Sequence, residues 1–313
     1  VNSPNAIEGN RAEKCDTSAA EFQSSETGIV DGIGTEDEIF AKIRSLVSIL
    51  PENNQADVYT GECTDDLNRA CESMENMRGD ARYLLAEISD GHVFFETKED
   101  YAKDMVTGFI KLNGMTVGAV ANCTEVYDET GSKKEEFEPV LTARGCDKAA
   151  EFIAFCDAFE IPVLSMTHVT GFKACKCAEK RLAKAMGRLT YAFANATVPK
   201  VNLITGDVFG SASVIMNAKS IGADLVYAWP DVKVGMMDAK LAAGIMYEGE
   251  SADVIEKKAK EYDALQDSVL SAAKRGYVDL VVEPQDTRKY MVAAFEMLYT
   301  KRMDGPFKKH GTK

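Results

Sequence analysis

The chain has only three histidines, one tryptophan and eight prolines in 313 residues. It contains no GxxxxGK(S/T), no GxGxxG behind a strand, no HExxH, no GxSxG and no EF-hand loop. These absences weigh against phosphate-loop, hydride-transfer, zinc-hydrolase and serine-hydrolase chemistry. With His92, His168 and His310 alone, a histidine-centred triad or metal site has few candidates. No run of eighteen apolar residues occurs, and the opening VNSPNAIEGNRAEK lacks the basic and then apolar pattern of a secretion signal. A cytoplasmic protein without membrane insertion is expected. Basic residues are short too: 36 Lys and Arg face 50 Asp and Glu, a net charge of −14. Such a field repels nucleic acid, which is not an expected partner. Eight cysteines (Cys15, Cys63, Cys71, Cys123, Cys146, Cys156, Cys175, Cys177) are scattered through a chain too long to need disulfide staples. The one close pair, Cys175-x-Cys177, has no second pair or histidine at zinc spacing, so no metal is expected.

What is present describes a globular protein: 45% of residues are hydrophobic and 27% charged, enough for one lobe of about 200–250 residues with an extension. The extension is the start. Residues 1–60 carry eleven acids and four bases, and within them only residues 36–50 have helical spacing, through Ile39, Ile43, Leu46 and Ile49. A beginning so poor in apolar residues reads as the tail of something upstream. From about Leu84, β-rich runs at 93–95, 107–112, 115–120, 161–169, 200–205 and 224–229 alternate with helical segments at 146–159, 176–196 and 212–221. Strands joined by crossover helices predict an α/β architecture with parallel pairing. Asn113-Gly114 between two runs predicts a hairpin turn, which makes the sheet mixed. Helices at 252–274 and 287–301 and a basic end at 308–313 complete the chain.

Two strand-to-helix turns rich in small residues are the candidate chemistry: Val169-Thr170-Gly171-Phe172, and Phe209-Gly210-Ser211-Ala212-Ser213. Small residues at such a turn let backbone N–H groups face open space at a helix start, where they can stabilise an anion. Ser211 or Ser213 could equally be an ordinary N-cap. His168 could be a general base or an imidazole bonded at a strand end. Lys173, Lys176, Lys180, Arg181, Lys184 and Arg188 oppose a single Glu179, a local surplus of five positive charges. That face suits phosphates or an acidic partner, or it is simply the wet side of an amphipathic helix.

The runs Phe155-Cys-Asp-Ala-Phe-Glu-Ile-Pro-Val163, Val169-Thr-Gly-Phe172, Tyr191-Ala-Phe-Ala-Asn-Ala-Thr-Val-Pro-Lys-Val201, Gly222-Ala-Asp-Leu-Val-Tyr-Ala-Trp-Pro230 and Gly276-Tyr-Val-Asp279 stand in an order that resembles the C-terminal lobe of the biotin-dependent acyl-CoA carboxyltransferases. This family includes the β subunits of propionyl-CoA and acetyl-CoA carboxylases and the α subunit of methylmalonyl-CoA decarboxylase. Asn113-Gly-Met-Thr-Val-Gly118 and Asp286-Thr-Arg288 agree with it. The resemblance implies a crotonase/ClpP-like ββα spiral over residues 55–313, with residues 1–54 as an acidic leader similar to the end of the family's N-lobe. It implies carboxyl transfer between carboxybiotin and a short acyl-CoA, biotin riding on a carrier protein and coenzyme A thioester as substrate. The implied partners are an N-lobe, the biotin carboxyl carrier protein and further copies in an oligomer. Carried over by position, the N–H groups of Ser211 and Ala212 would hold the biotin ureido oxygen, with Gly210 and Phe209 shaping the turn. Val169, Thr170, Gly171 and Phe172 would line the same cavity, and Val214 would face the acyl group. The chain departs from the family pattern at Thr170, where Pro is usual, at Ser211, where Gly is usual, and at the binding positions Met237-Asp238, where Gly-Ala is usual and where Asp238 puts a carboxylate near a spot that in the family approaches an anionic ligand. A catalytically degenerate assembly subunit is therefore the alternative, and acyl-CoA hydration or hydrolysis a weaker one.

Overall fold

The computed structural model describes residues 19–128 and 130–303. Most of the leader's first third and the basic end at 308–313 lie outside the described residues. The elements used below are α1 (Glu36–Ile49), α2 (Ala81–Ile88), β1 (Phe95–Thr97), β2 (Met105–Leu112), β3 (Met115–Asn122), α3 (Ala143–Ala158), β4 (Val163–Val169), α4 (Leu182–Asn195), β5 (Lys200–Phe209), α5 (Gly210–Ile215), β6 (Leu225–Ala228), β7 (Val234–Gly235), α6 (Ala239–Met246), α7 (Ala252–Tyr262), α8 (Val269–Lys274), β8 (Leu280–Val281) and α9 (Thr287–Leu298).

An eight-stranded sheet runs in the order β1-β2-β3-β4-β5-β6-β8, with β7 beside the far end of β5. The β1–β2 and β2–β3 pairs are antiparallel. The pairs from β3 onward, and β5–β7, are parallel. β2, β3, β4 and β5 are buried along almost their whole length, as strands covered on both faces must be. Helices α3 and α4 pack on one another over the sheet. α3 buries Cys146, Ala149, Phe152, Ile153 and Cys156 on one side, so those cysteines are core residues.

The hairpin turn is as the sequence predicts: Asn113 and Gly114 both have positive φ, 52° and 75°, the two-residue turn that matches strand twist. Glycine is required at 114 for a second reason, since a Cβ there would sit 2.1 Å from the Gly61 carbonyl oxygen. Gly114→Ala is expected to cost about 1–3 kcal/mol through this strain, read as a lower denaturation midpoint.

Three helices differ from the sequence expectation. Residues 176–196 break into Lys176–Glu179 and α4, with the buried stripe Leu182, Ala185, Leu189 and Phe193 on the second piece. The helix expected at 212–221 starts at Gly210 and ends at Ile215, because Asn217 adopts φ of 63°. Residues 252–274 divide into α7, a π-helical turn Asp263–Asp267, and α8, which Ser268 caps by accepting from Ser271 N–H. The strand expected at 93–95 forms two residues later as β1. Helices α2 and α6 were not read from the sequence at all; Asp80 caps the first by accepting from Arg82 N–H at 3.0 Å. Among the described residues, no helix is long and apolar enough to cross a membrane.

The leader's described part is docked rather than loose. Thr35 and Glu38 form a reciprocal capping box at the start of α1, Lys42 pairs with Glu99 at 2.7 Å, and the Ile49 carbonyl accepts from the buried Thr116 hydroxyl at 2.6 Å. Buried Arg288 on α9 then ties the sheet's start to its end. Its guanidinium donates to Asp66 O (3.1 Å), Ile88 O (2.5 Å) and Asp90 Oδ1 (2.7 Å), and lies 3.4 Å from Asp65 Oδ2. Asp90 also accepts from the N–H groups of Asn113 and Gly114 at the hairpin turn.

Candidate active site

The site forms where β5 ends. Phe209 is extended, with φ −133° and ψ 144°, and Gly210 turns the chain with φ of 62°. That left-handed value suits glycine, and a Cβ at 210 would also press to 3.1 Å from the Met236 carbonyl oxygen. The turn launches α5, whose first N–H groups have no earlier helical carbonyl to bond and receive no side-chain cap. The ordinary N-cap reading for serine fails here: the Ser213 hydroxyl donates to Gly210 O at 2.8 Å.

These residues open onto a hollow of about 520 Å³. One wall is Phe209, Gly210, Ser211 and Ala212, and a second is Thr170, Gly171 and Phe172. The third is Met236, Met237 and Asp238, with Asp207 and Leu241 completing it. The second wall is held by parallel pairing of Val140-Leu141 with Gly171-Phe172 and by Thr170 N–H donating to Pro139 O at 2.7 Å. Pairing of β7 with the end of β5 brings the third wall in.

Asp238, the carboxylate that the resemblance sets near an anionic ligand, lines the hollow but is engaged as a cap. It caps α6, accepting from Lys240 N–H at 3.0 Å and Leu241 N–H at 3.2 Å, which spends much of its charge on a helix start.

One expected lining residue is not in the hollow. Val169 is fully buried in the sheet, because β4 is still paired there with β5. Val214 points from the next turn of α5 into a neighbouring cavity of about 290 Å³. That cavity shares Gly210 and Met236 with the hollow and is lined by Ile204, Val208, Val226 and Val234, with Thr167 and Asn202 among its polar groups. The Thr167 hydroxyl donates to Asn202 Oδ1 at 2.8 Å. The sequence carries no signal for this second cavity, since its walls come from six separate segments. His168 does not line the hollow either: its ring packs against Gly206, where a Cβ would lie 2.4 Å away. Burial holds its pKa below the ordinary histidine value, with the Asp207 charge opposing, so it is neutral at pH 7. The basic segment is solvent-exposed rather than one helix face: Lys173, ahead of the first short helix, pairs with Glu138, and Arg188 on α4 pairs with Asp147. Among the described residues, no three His, Cys, Asp or Glu side chains gather in a way that could hold a metal.

Residues 4–312 match the carboxyl transferase domain. The chain belongs to that family. The carboxyl transferase domain is 36% identical over 288 residues to the propionyl-CoA carboxylase beta chain of Roseobacter denitrificans, covering 87% of this chain and 54% of that protein. It is 33% identical over 306 residues to the methylmalonyl-CoA carboxyltransferase 12S subunit of Propionibacterium freudenreichii, covering 93% of this chain and 56% of that one. The crystal structure of transcarboxylase 12S, described as a hexamer with hydrolysed methylmalonyl-coenzyme A bound, superposes with a TM-score of 0.87 at 30% identity, covering 99% of this chain and 61% of that one. The fold is therefore the crotonase-like carboxyltransferase fold, and the chain spans a little over half the length of these relatives.

Proposed function

We propose that this carboxyl transferase domain is the biotin-side lobe of an acyl-CoA carboxyltransferase, with residues 55–313 as the lobe and residues 1–54 as the end of its N-lobe. It moves a carboxyl group to or from the α-carbon of a short acyl-CoA, the kind of thioester named in its relatives. The observation that carries this reading is the uncapped start of α5 opening onto a three-walled hollow. A degenerate subunit would have that space filled by side chains.

The residues suit a bicyclic urea. The amides of Ser211 and Ala212 are donors for a ureido oxygen, Gly171 leaves its wall without a side chain, and Phe172 and Phe209 supply apolar faces that exclude water. Biotin, when bound, supplies the nitrogen that carries the carboxyl group. The chain's part is electrostatic: fixed amide dipoles meet negative charge as it grows on the oxygen, at no cost of reorganisation. That explains how a chain with three histidines can carry out the reaction. Coenzyme A sits mainly on an N-lobe, so the working unit is an oligomer in the cytoplasm, served by a biotin carrier protein. The chain mixed with a separately produced N-lobe, free biotin and methylmalonyl-CoA is expected to move the carboxyl group onto biotin, releasing propionyl-CoA, only when both lobes are present. Absence of transfer in every combination of folded components would falsify the proposal.

A further inference from the structure

The π-helical turn Asp263–Asp267 between α7 and α8 swings Asp267 inward. The residue is fully buried, and neither carboxyl oxygen has a hydrogen-bond partner. It rests on the backbone of Gly235, where a Cβ would lie 2.1 Å from Oδ1, so the carboxyl occupies the space that a side chain at 235 would need. Gly235 ends β7, and the three residues that follow it are the third wall of the hollow. π-helical turns are uncommon and gather at functional sites.

We propose that Asp267 is a positioning residue: acting through Gly235, it sets how closely the wall of Met236, Met237 and Asp238 approaches the amides at 211 and 212. This rests on the reading of the hollow as the biotin side of a carboxyltransferase. The charged groups facing Asp267 are Asp263 from its own turn, Lys233 from the chain entering β7, Asp238 from the start of α6 and Asp207 from β5. Lys233 is drawn off by Asp263, its Nζ lying 2.7 Å from Oδ1. Burial first, and then the three carboxylates, push Asp267 up to about 6, Lys233 opposing only in part. The neutral acid can lie against Gly235. The anion has no donor there and must move toward water or Lys233, carrying β7 and the wall with it. The folded-state value lies above the ordinary 3.8, so the associated stability is fully present below pH 3.8 and is lost as pH rises through about 6.

The test follows the ¹³C-methyl signals of Met236 and Met237 in the full chain from pH 4.5 to 8, in the wild type and in Asp267→Asn, with free biotin titrated at each pH. Both signals are expected to move with a midpoint near 6 in the wild type and to stay still in D267N, whose melting temperature exceeds the wild type's by a margin that opens as pH rises above 3.8 and stops growing above about 6. Biotin binding is expected to weaken several-fold across the same interval in the wild type alone. Signals that are flat in the wild type, or that move identically in D267N, overturn the inference. Signals that move as expected in a chain that binds no biotin at any pH support the positioning role and remove the biotin reading instead.

Discussion

Ser211→Pro, assembled with an N-lobe, is expected to transfer carboxyl groups about 10²–10³-fold more slowly than the wild type, the usual loss when one oxyanion donor is removed. Proline deletes a single N–H and leaves the rest of the turn in place. Its fixed φ suits the first turn of a helix, where no intrahelical bond is lost, and position 211 is exposed, so the ring has room. The KM for acyl-CoA is expected to change little, because the missing donor acts on charge that develops during transfer. Ser211→Ala is the control: it keeps the N–H and loses only the hydroxyl, and nearly full activity is expected. If S211P is folded and as active as the wild type, backbone amides at this turn do not drive the reaction. If S211A falls as far as S211P, the hydroxyl is the working group.

The largest loss of stability is expected from Arg288→Met, about 3–5 kcal/mol in urea denaturation. Methionine fills much of the volume but leaves two main-chain carbonyls, those of Asp66 and Ile88, without their donor and takes the cation away from the Asp65 and Asp90 carboxylates, in a site where Arg288 itself is wholly buried. Arg288→Lys is expected to recover little, since one ammonium cannot copy a planar fork that reaches three separate acceptors. Acid unfolding reports the same cluster. Burial pushes the Asp65 carboxyl up, but hydrogen bonds from Arg69 and the Gly91 N–H, with the charge of Arg288, outweigh it and bring it down to about 2. Because that lies below the ordinary 3.8, the stabilisation is complete above pH 3.8 and is lost as pH falls toward 2. In R288M the acid transition should begin at higher pH. A midpoint in urea within about 0.5 kcal/mol of the wild type would show that the cluster is dispensable.

Local chemistry explains which parts of this fold could be read in advance. Asn113-Gly114 announces its turn because few other pairs tolerate two positive φ values, and the buried strands announce themselves as continuous apolar runs. The walls formed by residues 170–172 and 209–212 were legible through small residues at strand ends. Other features depend on tertiary partners. The helix pattern over 252–274 is continuous in hydrophobic spacing, and nothing in it announces the π turn that brings Asp267 against Gly235. Asp238 reads as a carboxylate near a ligand until α6, a helix of only eight residues, supplies the N–H groups it caps. Val214 lines the neighbouring cavity because α5 is so short that one turn carries a side chain from the hollow to its neighbour. α2 was missed although Asp80 is a good cap, since its apolar residues Leu84, Leu85 and Ile88 span too few turns to establish a period.

The carboxylate of Asp90 serves both the hairpin turn and a guanidinium 198 residues further along the chain. Sequence separation of this kind makes loop closure the slow step of folding. On the ribosome, the β2–β3 ribbon can form early, but its anchor cannot engage until α9 has emerged. A chain cut anywhere before Thr287 would therefore keep the hairpin turn's own bonds to Asp90 but lack the guanidinium that ties Asp90 to the far end of the chain.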